Sequence, residues 1–126
     1  MADLSIPADF PLRVPQGADW PGVAIPIVAA DGTPRTSLAG CTAHGAIRYR
    51  PGEAALFEWS TTPTTGQGLI TFTGSALTFG ITAAQSSAFV WRAARWQVDL
   101  LDPNAPPGQQ EIRAGQGPIV LDLSYL

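Results

Sequence analysis

The sequence contains no lysine, one histidine and one cysteine, and these shortages exclude several kinds of chemistry. Without lysine the chain cannot form a Schiff base, a phosphate-binding loop of the Walker type or a lysine–asparagine isopeptide bond. A structural zinc site takes four ligands that are mostly cysteine or histidine, so one of each is too few. A single cysteine cannot form an internal disulfide bond. We therefore predict that the chain holds no metal and no cofactor.

Charge is also scarce. Charged residues make up 13 % of the chain, and the formal net charge is −3. Nucleic-acid binding needs several cations on one surface, because much of its free energy comes from the release of counterions. Seven positive residues against ten acidic ones do not provide such a surface. We predict no nucleic-acid partner.

Long apolar runs are absent as well. No run approaches the roughly 18 residues that a membrane-spanning helix needs. The first ten residues, MADLSIPADF, have neither the basic segment nor the apolar segment of a secretory signal. We predict no membrane partner, and we expect the chain to be made and folded in the cytoplasm of its host.

The features that are present predict an all-β domain. The 126 residues suit one domain covering 1–126, with residues 1–8 as a flexible or partner-bound arm. Short segments alternate apolar and polar residues, and turn residues recur every eight to fourteen positions. This pattern predicts a single two-sheet antiparallel β-sandwich of the immunoglobulin type with about eight strands. The spacing of Thr82 and Gln85 matches a capping box, which predicts one short helical turn near residues 82–87.

The clearest local prediction is a hairpin over residues 69–82. If Gly74 and Ser75 form a two-residue turn, Phe72 pairs with Leu77, and Ile70 with Phe79. All four apolar side chains then lie on one face, so the turn and the hydrophobic pattern select the same register.

Two other segments carry the features of edge strands. Leu12 and Val14 alternate with Pro11, Arg13 and Pro15. A proline has no backbone N–H, so it cannot donate a hydrogen bond to a neighbouring strand. Pro26 interrupts a second apolar segment in the same way. The polar stretch 60–68 is the best candidate for a mobile loop.

No set of residues predicts catalysis. Cys41 and His44 stand three apart at the start of a strand, so their side chains point to opposite faces. The acidic residues are typical of solvated turns and strand edges, and no Asp-x-Asp-x-Asp calcium loop is present. We predict that the chain is not an enzyme; a small hydrolase remains a remote alternative without a credible triad.

The four tryptophans divide into two pairs. Trp59 and Trp96 are in phase with core residues, which predicts that both are buried. Trp20 and Trp91 lie in a loop and near a strand junction, and tryptophan is enriched among interface anchors. The predicted interface therefore comprises Trp20, Trp91, Phe10 and Arg13. Exposed indoles also stack on sugar rings, which keeps a carbohydrate-binding reading open.

The order of short motifs along the chain resembles a known family. It begins with Gly17-Ala-Asp-Trp20 before the first long strand. It continues with Asp31-Gly-Thr-Pro34, Leu38-Ala-Gly40, Ala46-Ile-Arg48, Leu69-Ile-Thr71, Gly80-Ile-Thr82, Trp96-Gln-Val-Asp-Leu100 and the segment from Ile112 to Leu121. This progression over residues 10–123 resembles the small β-sandwich proteins of tailed bacteriophages, which include minor tail proteins and N-terminal domains of baseplate proteins.

The resemblance implies a virion structural protein with no catalytic residues. We expect a minor tail or baseplate adaptor in several symmetric copies, because symmetry multiplies one modest interface into a ring. Its partners would be other phage structural proteins and further copies of itself. Two alternatives stay open: a head-decoration or head–tail connector protein, and a carbohydrate-binding module that recognises the host surface.

Overall fold

The computed structural model describes residues 8–9, 11–27, 40–50, 52–73, 76–103, 107–108 and 110–123. Within these ranges the chain forms nine strands and one short helix. In chain order they are β1 (Ala8–Asp9), β2 (Leu12–Pro15), β3 (Trp20–Pro26), β4 (Thr42–Arg48), β5 (Phe57–Ser60), β6 (Gly68–Thr73), β7 (Ala76–Ile81), α1 (Ala83–Ser87), β8 (Ala93–Leu101) and β9 (Glu111–Asp122).

The strands form one mixed sheet in the order β1, β9, β8, β4, β5, β6, β7, β3, and β2 also pairs with β9. Five pairs are antiparallel, and three are parallel: β1 with β9, β2 with β9, and β5 with β6. The predicted all-β class is confirmed. The expectation of purely antiparallel pairing is met only in part, and the sheet nearly closes on itself like a barrel.

The sheet changes direction where β5 meets β6. These strands share only two paired positions, Trp59 with Gly68 and Ser60 with Leu69. The part that contains β9 and the part that contains β3 then face each other. A Cβ atom added at Gly115 of β9 would lie 2.9 Å from Ile25 Cδ1 of β3. Side chains from both parts therefore fill one core.

Aromatic rings occupy the centre of that core. Trp59, Phe79 and Trp96 are each about 99 % buried. The ring centroids of Trp59 and Phe79 are 4.9 Å apart, and those of Phe79 and Trp96 are 5.5 Å apart. The predicted burial of Trp59 and Trp96 is confirmed.

The hairpin of β6 and β7 has the predicted register. Ile70 pairs with Phe79, and Phe72 pairs with Leu77. Ile70, Leu77 and Phe79 are buried, while Phe72 is half-buried and packs at the margin of the core. The proposed turn at residues 74 and 75 lies outside the described residues.

The edge strands also lie where the sequence places them. β1 and β2 follow each other along β9 in one register, because Ala8 pairs with Gly115 and Leu12 with Ile119. At the other end of the strand order β3 pairs only with β7 among the described strands, and its Pro26 is exposed. Ala8 is the first described residue and belongs to β1; the rest of the predicted arm, residues 1–7, lies outside the described residues.

β3 approaches β7 closely at one irregularity. The pairing shifts between Trp20 and Val23. Gly22 has a φ of +88°, and a Cβ atom there would lie 1.6 Å from the Phe79 carbonyl oxygen. Only glycine fits this position, since it tolerates positive φ and has no side chain.

In the sequence, residues 110–114 and 117–124 alternate as two separate segments, a pattern that predicts two strands, whereas the structure has one. β9 is continuous, but Val98 pairs with Gly115 and Asp99 with Arg113, so Ala114 is an extra residue. Such a bulge changes which residues face the core. The alternation in the sequence breaks at this point, and the break suggested a gap between two strands. The alternation over residues 43–50 predicts that Tyr49 faces inward, but β4 ends at Arg48 and Tyr49 is 48 % exposed.

The short helix confirms the predicted capping box. The Thr82 hydroxyl accepts a hydrogen bond from the Gln85 backbone N–H (3.1 Å), and the Gln85 side-chain oxygen accepts one from the Thr82 backbone N–H (3.0 Å). These bonds satisfy two donors at the helix start. No helix in the described part of the chain is long and apolar enough to cross a membrane.

Truncating Phe79 tests the packing of the core. Phe79→Ala removes a ring that contacts three tryptophans, and we expect it to lower the free energy of unfolding by about 3–5 kcal/mol. The half-buried Phe72 on the same hairpin is the control, and Phe72→Ala should cost clearly less. Urea denaturation measures both values; equal losses would contradict the described burial.

Candidate functional site

The loop before β3 is fastened to helix α1 by a buried glutamine. Gln16 is 7 % exposed, and its side-chain nitrogen donates to the carbonyl oxygens of Ser86 (3.1 Å) and Phe89 (2.7 Å). The Gly17 backbone N–H donates to the Ser86 hydroxyl at 3.0 Å. Asp19 Oδ1 accepts from the Ala83 backbone N–H at 2.7 Å. These hydrogen bonds therefore join the loop to helix α1.

This attachment places Trp20 at the margin of a surface groove. Trp20 is half-buried, and its ring meets Phe79 edge to face with centroids 6.0 Å apart. The groove has a volume of about 400 Å³. Its apolar lining includes Pro63 and Leu69, and Leu69 is 52 % exposed. We call this surface the Trp20 groove.

The polar loop 60–68 borders the Trp20 groove and is held by hydrogen bonds. The Thr64 backbone N–H donates to Gln67 Oε1 (3.1 Å), and the Gln67 backbone N–H donates to the Thr64 carbonyl oxygen (3.0 Å). Gln85 Nε2 donates to the Gln67 carbonyl oxygen at 3.1 Å. The loop predicted to be mobile is thus linked to helix α1, so both sides of the groove rest on that helix.

The four residues of the predicted interface are not brought together. Trp20 lines the groove, whereas Arg13 is exposed on β2 and lies 3.5 Å from Asp122. Trp91 is 2 % exposed and packs against Phe89, with ring centroids 5.2 Å apart. It offers no surface for a partner in the folded subunit, which corrects its predicted role: the segment after helix α1 turns inward. Phe10 lies outside the described residues.

A second polar surface lies on the outward face of β4, β8 and β9. His44 Nε2 is 3.1 Å from Glu111 Oε1. Asp99 is 8 % exposed, and Arg113 Nε donates a hydrogen bond to its Oδ1. Arg113 also donates to Gln116 Oε1 at 2.8 Å. We call His44, Asp99, Glu111 and Arg113 the outer-face cluster.

Sequence reasoning missed the outer-face cluster because its members come from three strands. The alternation of apolar and polar residues over 43–50 and 94–101 predicts outward-facing side chains at His44 and Asp99, as observed, but it gives no register between β4 and β8. In the structure these two residues lie directly opposite each other. Matching the polar outward positions of neighbouring strands would have been the available signal. The His44 imidazole lies next to the Glu111 carboxylate, and Cys41 is half-buried just before β4.

Three arginines line a neighbouring depression of about 230 Å³: Arg48, Arg95 and Arg113. Arg48 and Arg95 are opposite residues of β4 and β8. Like charges placed directly opposite destabilise a sheet unless other charges compensate. Arg113 also donates a hydrogen bond to Asp99, so the carboxylate partly compensates its charge.

The comparisons with known proteins add no assignment. No protein-family model matches the chain, and the search of curated proteins found no significant match. Function has to be inferred from the residues and the geometry.

Removing the Gln16 amide tests whether it fastens the loop to the helix. Gln16→Leu removes the side-chain donor to the Ser86 and Phe89 carbonyl oxygens, of which Ser86 keeps a hydrogen bond from the Phe89 backbone N–H. We expect a loss of about 1–3 kcal/mol in the free energy of unfolding. Asp19→Asn is the control, because it keeps an oxygen that can accept from Ala83, and we expect a change within about 0.5 kcal/mol. Chemical denaturation measures both, and a Gln16→Leu variant as stable as the parent chain would contradict the attachment.

Proposed function

We propose that the chain is a non-enzymatic structural component of a bacteriophage virion, a minor tail or baseplate adaptor present in several symmetric copies. Its partners are other phage structural proteins and further copies of the chain, and its location is the virion, assembled in the host cytoplasm. The observation that carries this proposal is the ordered set of motifs over residues 10–123, which resembles the small β-sandwich proteins of tailed phages.

The positions of these motifs in the fold support the proposal. Trp96–Leu100 lies on β8, and Ile112–Leu121 lies on β9, the two longest strands. The opening motif, Gly17 to Trp20, fastens helix α1 through Gly17 and Asp19 and supports the groove through Trp20. The motifs that fall on described residues thus coincide with elements of the architecture; residues 31–34 and 38–39 lie outside the described residues.

The same resemblance extends to the finer architecture. We propose that the part of the sheet with β9, β8, β4 and β5 and the part with β6, β7 and β3 correspond to the two layers of an immunoglobulin-like sandwich. Packing of Ile25 near Gly115 across the core supports this reading. The two-residue parallel pairing of β5 with β6 then joins the layers along one side.

The Trp20 groove is the surface best suited to a partner. It combines a half-buried tryptophan with an exposed leucine and has hydrogen-bonding groups at its border. Protein–protein interfaces commonly have such an apolar, aromatic centre and a polar rim. The strand edges are less suited to pairing with a strand of another subunit. Pro15 on β2 and Pro26 on β3 have no backbone N–H, so each edge lacks a hydrogen-bond donor there. Contacts made through the groove, rather than through strand addition, would hold the adaptor in a ring.

One observation favours a second candidate function. Trp20, Gln67 and Gln85 line the same groove, and a groove that offers an indole together with amide groups suits a sugar ring. A carbohydrate-binding module that recognises the host surface is therefore the alternative. Because Trp91 is buried, such a module would have one indole platform instead of the two considered from the sequence. A head-decoration or head–tail connector role would use the same groove at another place on the particle.

Mass spectrometry of purified particles tests the structural role. We expect the protein in purified virions in a fixed ratio to the other tail proteins, because an adaptor occupies defined positions in a symmetric assembly. Absence from purified virions despite abundance in infected cells would contradict the proposal and would favour a regulatory or enzymatic role.

A pair of surface substitutions extends the same measurement to the groove. Leu69→Glu places a charge in the Trp20 groove, and we expect incorporation into particles to fall at least about tenfold, since burying an unpaired charge at an interface is costly. Val90→Glu is the matched control: Val90 is 89 % exposed and lies outside the groove lining, so incorporation should not change. Circular dichroism checks that both variants fold. Normal incorporation of a folded Leu69→Glu variant would exclude the groove as the interface.

A further inference from the structure

The outer-face cluster contains three side chains that carry metal-binding atoms. One ligand atom each from His44, Asp99 and Glu111 lies within 4.8 Å of the others. The three residues come from β4, β8 and β9, which are neighbours in the sheet. Paired strands hold their backbones at fixed separations, so the side chains converge without a mobile loop.

The bulge in β9 creates this convergence. Ala114 is the extra residue, and it shifts the phase of the strand so that Glu111 and Arg113 lie on the outward face. On β8, Asp99 is opposite both Arg113 of β9 and His44 of β4. Bulges are frequent beside functional sites, where they redirect a side chain. This one places a carboxylate next to the chain's single histidine.

Arg113 has the position of a supporting residue. Its Nε donates to Asp99 Oδ1, and its Nη1 donates to Gln116 Oε1. A carboxylate that binds a metal is commonly oriented by a hydrogen bond to one of its oxygens. The guanidinium therefore fixes a carboxylate that is 8 % exposed and leaves its other oxygen to bind a cation.

Against the expectation from the sequence that the chain holds no metal, we propose that His44, Asp99 and Glu111 bind one divalent transition-metal ion of the zinc type. Imidazole nitrogen selects such ions over magnesium and calcium, which prefer oxygen alone. Three protein ligands leave a fourth tetrahedral position for water. Ligand atoms around zinc lie about 3.4 Å apart, and His44 Nε2 is already 3.1 Å from Glu111 Oε1. Both side chains are about 60 % exposed, so they can adjust around the ion.

Charge favours a cation at this position. Two carboxylates and one guanidinium leave a net charge of −1 when the imidazole is neutral, the form of histidine that binds metals. An ion here would link three adjacent strands on the outward face. The proposal does not depend on the role of the chain in a virion.

Isothermal titration calorimetry on the folded, tag-free and metal-free chain tests the site, with ZnCl₂ as the probe. We expect saturable binding of one zinc per chain and no saturable binding of CaCl₂. His44→Ala and Glu111→Gln should each raise the Kd at least about tenfold, because each removes a ligand. Absence of saturable zinc binding, or equal affinity for calcium, would overturn the proposal.

Two control variants make the result specific. Glu53→Gln removes a comparable carboxylate that lies 3.5 Å from Arg50 outside the cluster, and zinc affinity should not change. Cys41→Ser removes the one thiol, and binding should persist. An unchanged zinc affinity in Glu111→Gln, or loss of zinc binding in Cys41→Ser, would show that the metal binds elsewhere. Glu111 is exposed, so its variant should fold, and circular dichroism verifies this.

Discussion

The fold depends on the position of one indole ring at the place where the sheet changes direction. Trp59 Nε1 donates to the Gly80 carbonyl oxygen at 2.8 Å. Its ring meets Phe57 and Phe79 edge to face at 5.4 and 4.9 Å. A Cβ atom at Gly68 would lie 2.4 Å from Trp59 Cδ1, so the neighbouring strand leaves space for the ring by lacking a side chain. Trp59 thereby connects β5 to β7 across β6, where only two backbone positions pair.

The surface features follow from this constraint. Gly80 is held by Trp59 at the end of β7, and helix α1 begins two residues after Ile81. The helix in turn binds the loop at Gln16 and the border of the groove at Gln67. A groove supported by hydrogen bonds on both sides loses little conformational entropy when a partner binds, which favours association. The packing of the core thus determines the shape of the Trp20 groove, the surface that we propose for contact with a partner.

Features that depend on neighbouring residues could be predicted from the sequence. The hairpin register follows from the turn position and the pattern of Ile70 to Phe79, and the helix start follows from Thr82 and Gln85. Features that depend on distant segments could not. The burial of Trp91 depends on how the segment after helix α1 folds back, and the parallel pairing of β5 has no local signal. The outer-face cluster requires the register of three strands and a bulge at Ala114, which appeared in the sequence only as a break in alternation.

The proposed role combines a hydrogen-bonded frame with the Trp20 groove as contact surface, and those motifs resembling phage proteins that fall on described residues coincide with the frame. The most direct test is a cryo-electron microscopy reconstruction of purified particles at a resolution that shows side chains. The account predicts that the domain is present in a symmetric ring and that a neighbouring subunit covers Trp20 and Leu69 in each copy. A ring in which the Trp20 groove faces solvent in every copy, or a particle without the domain, would contradict it.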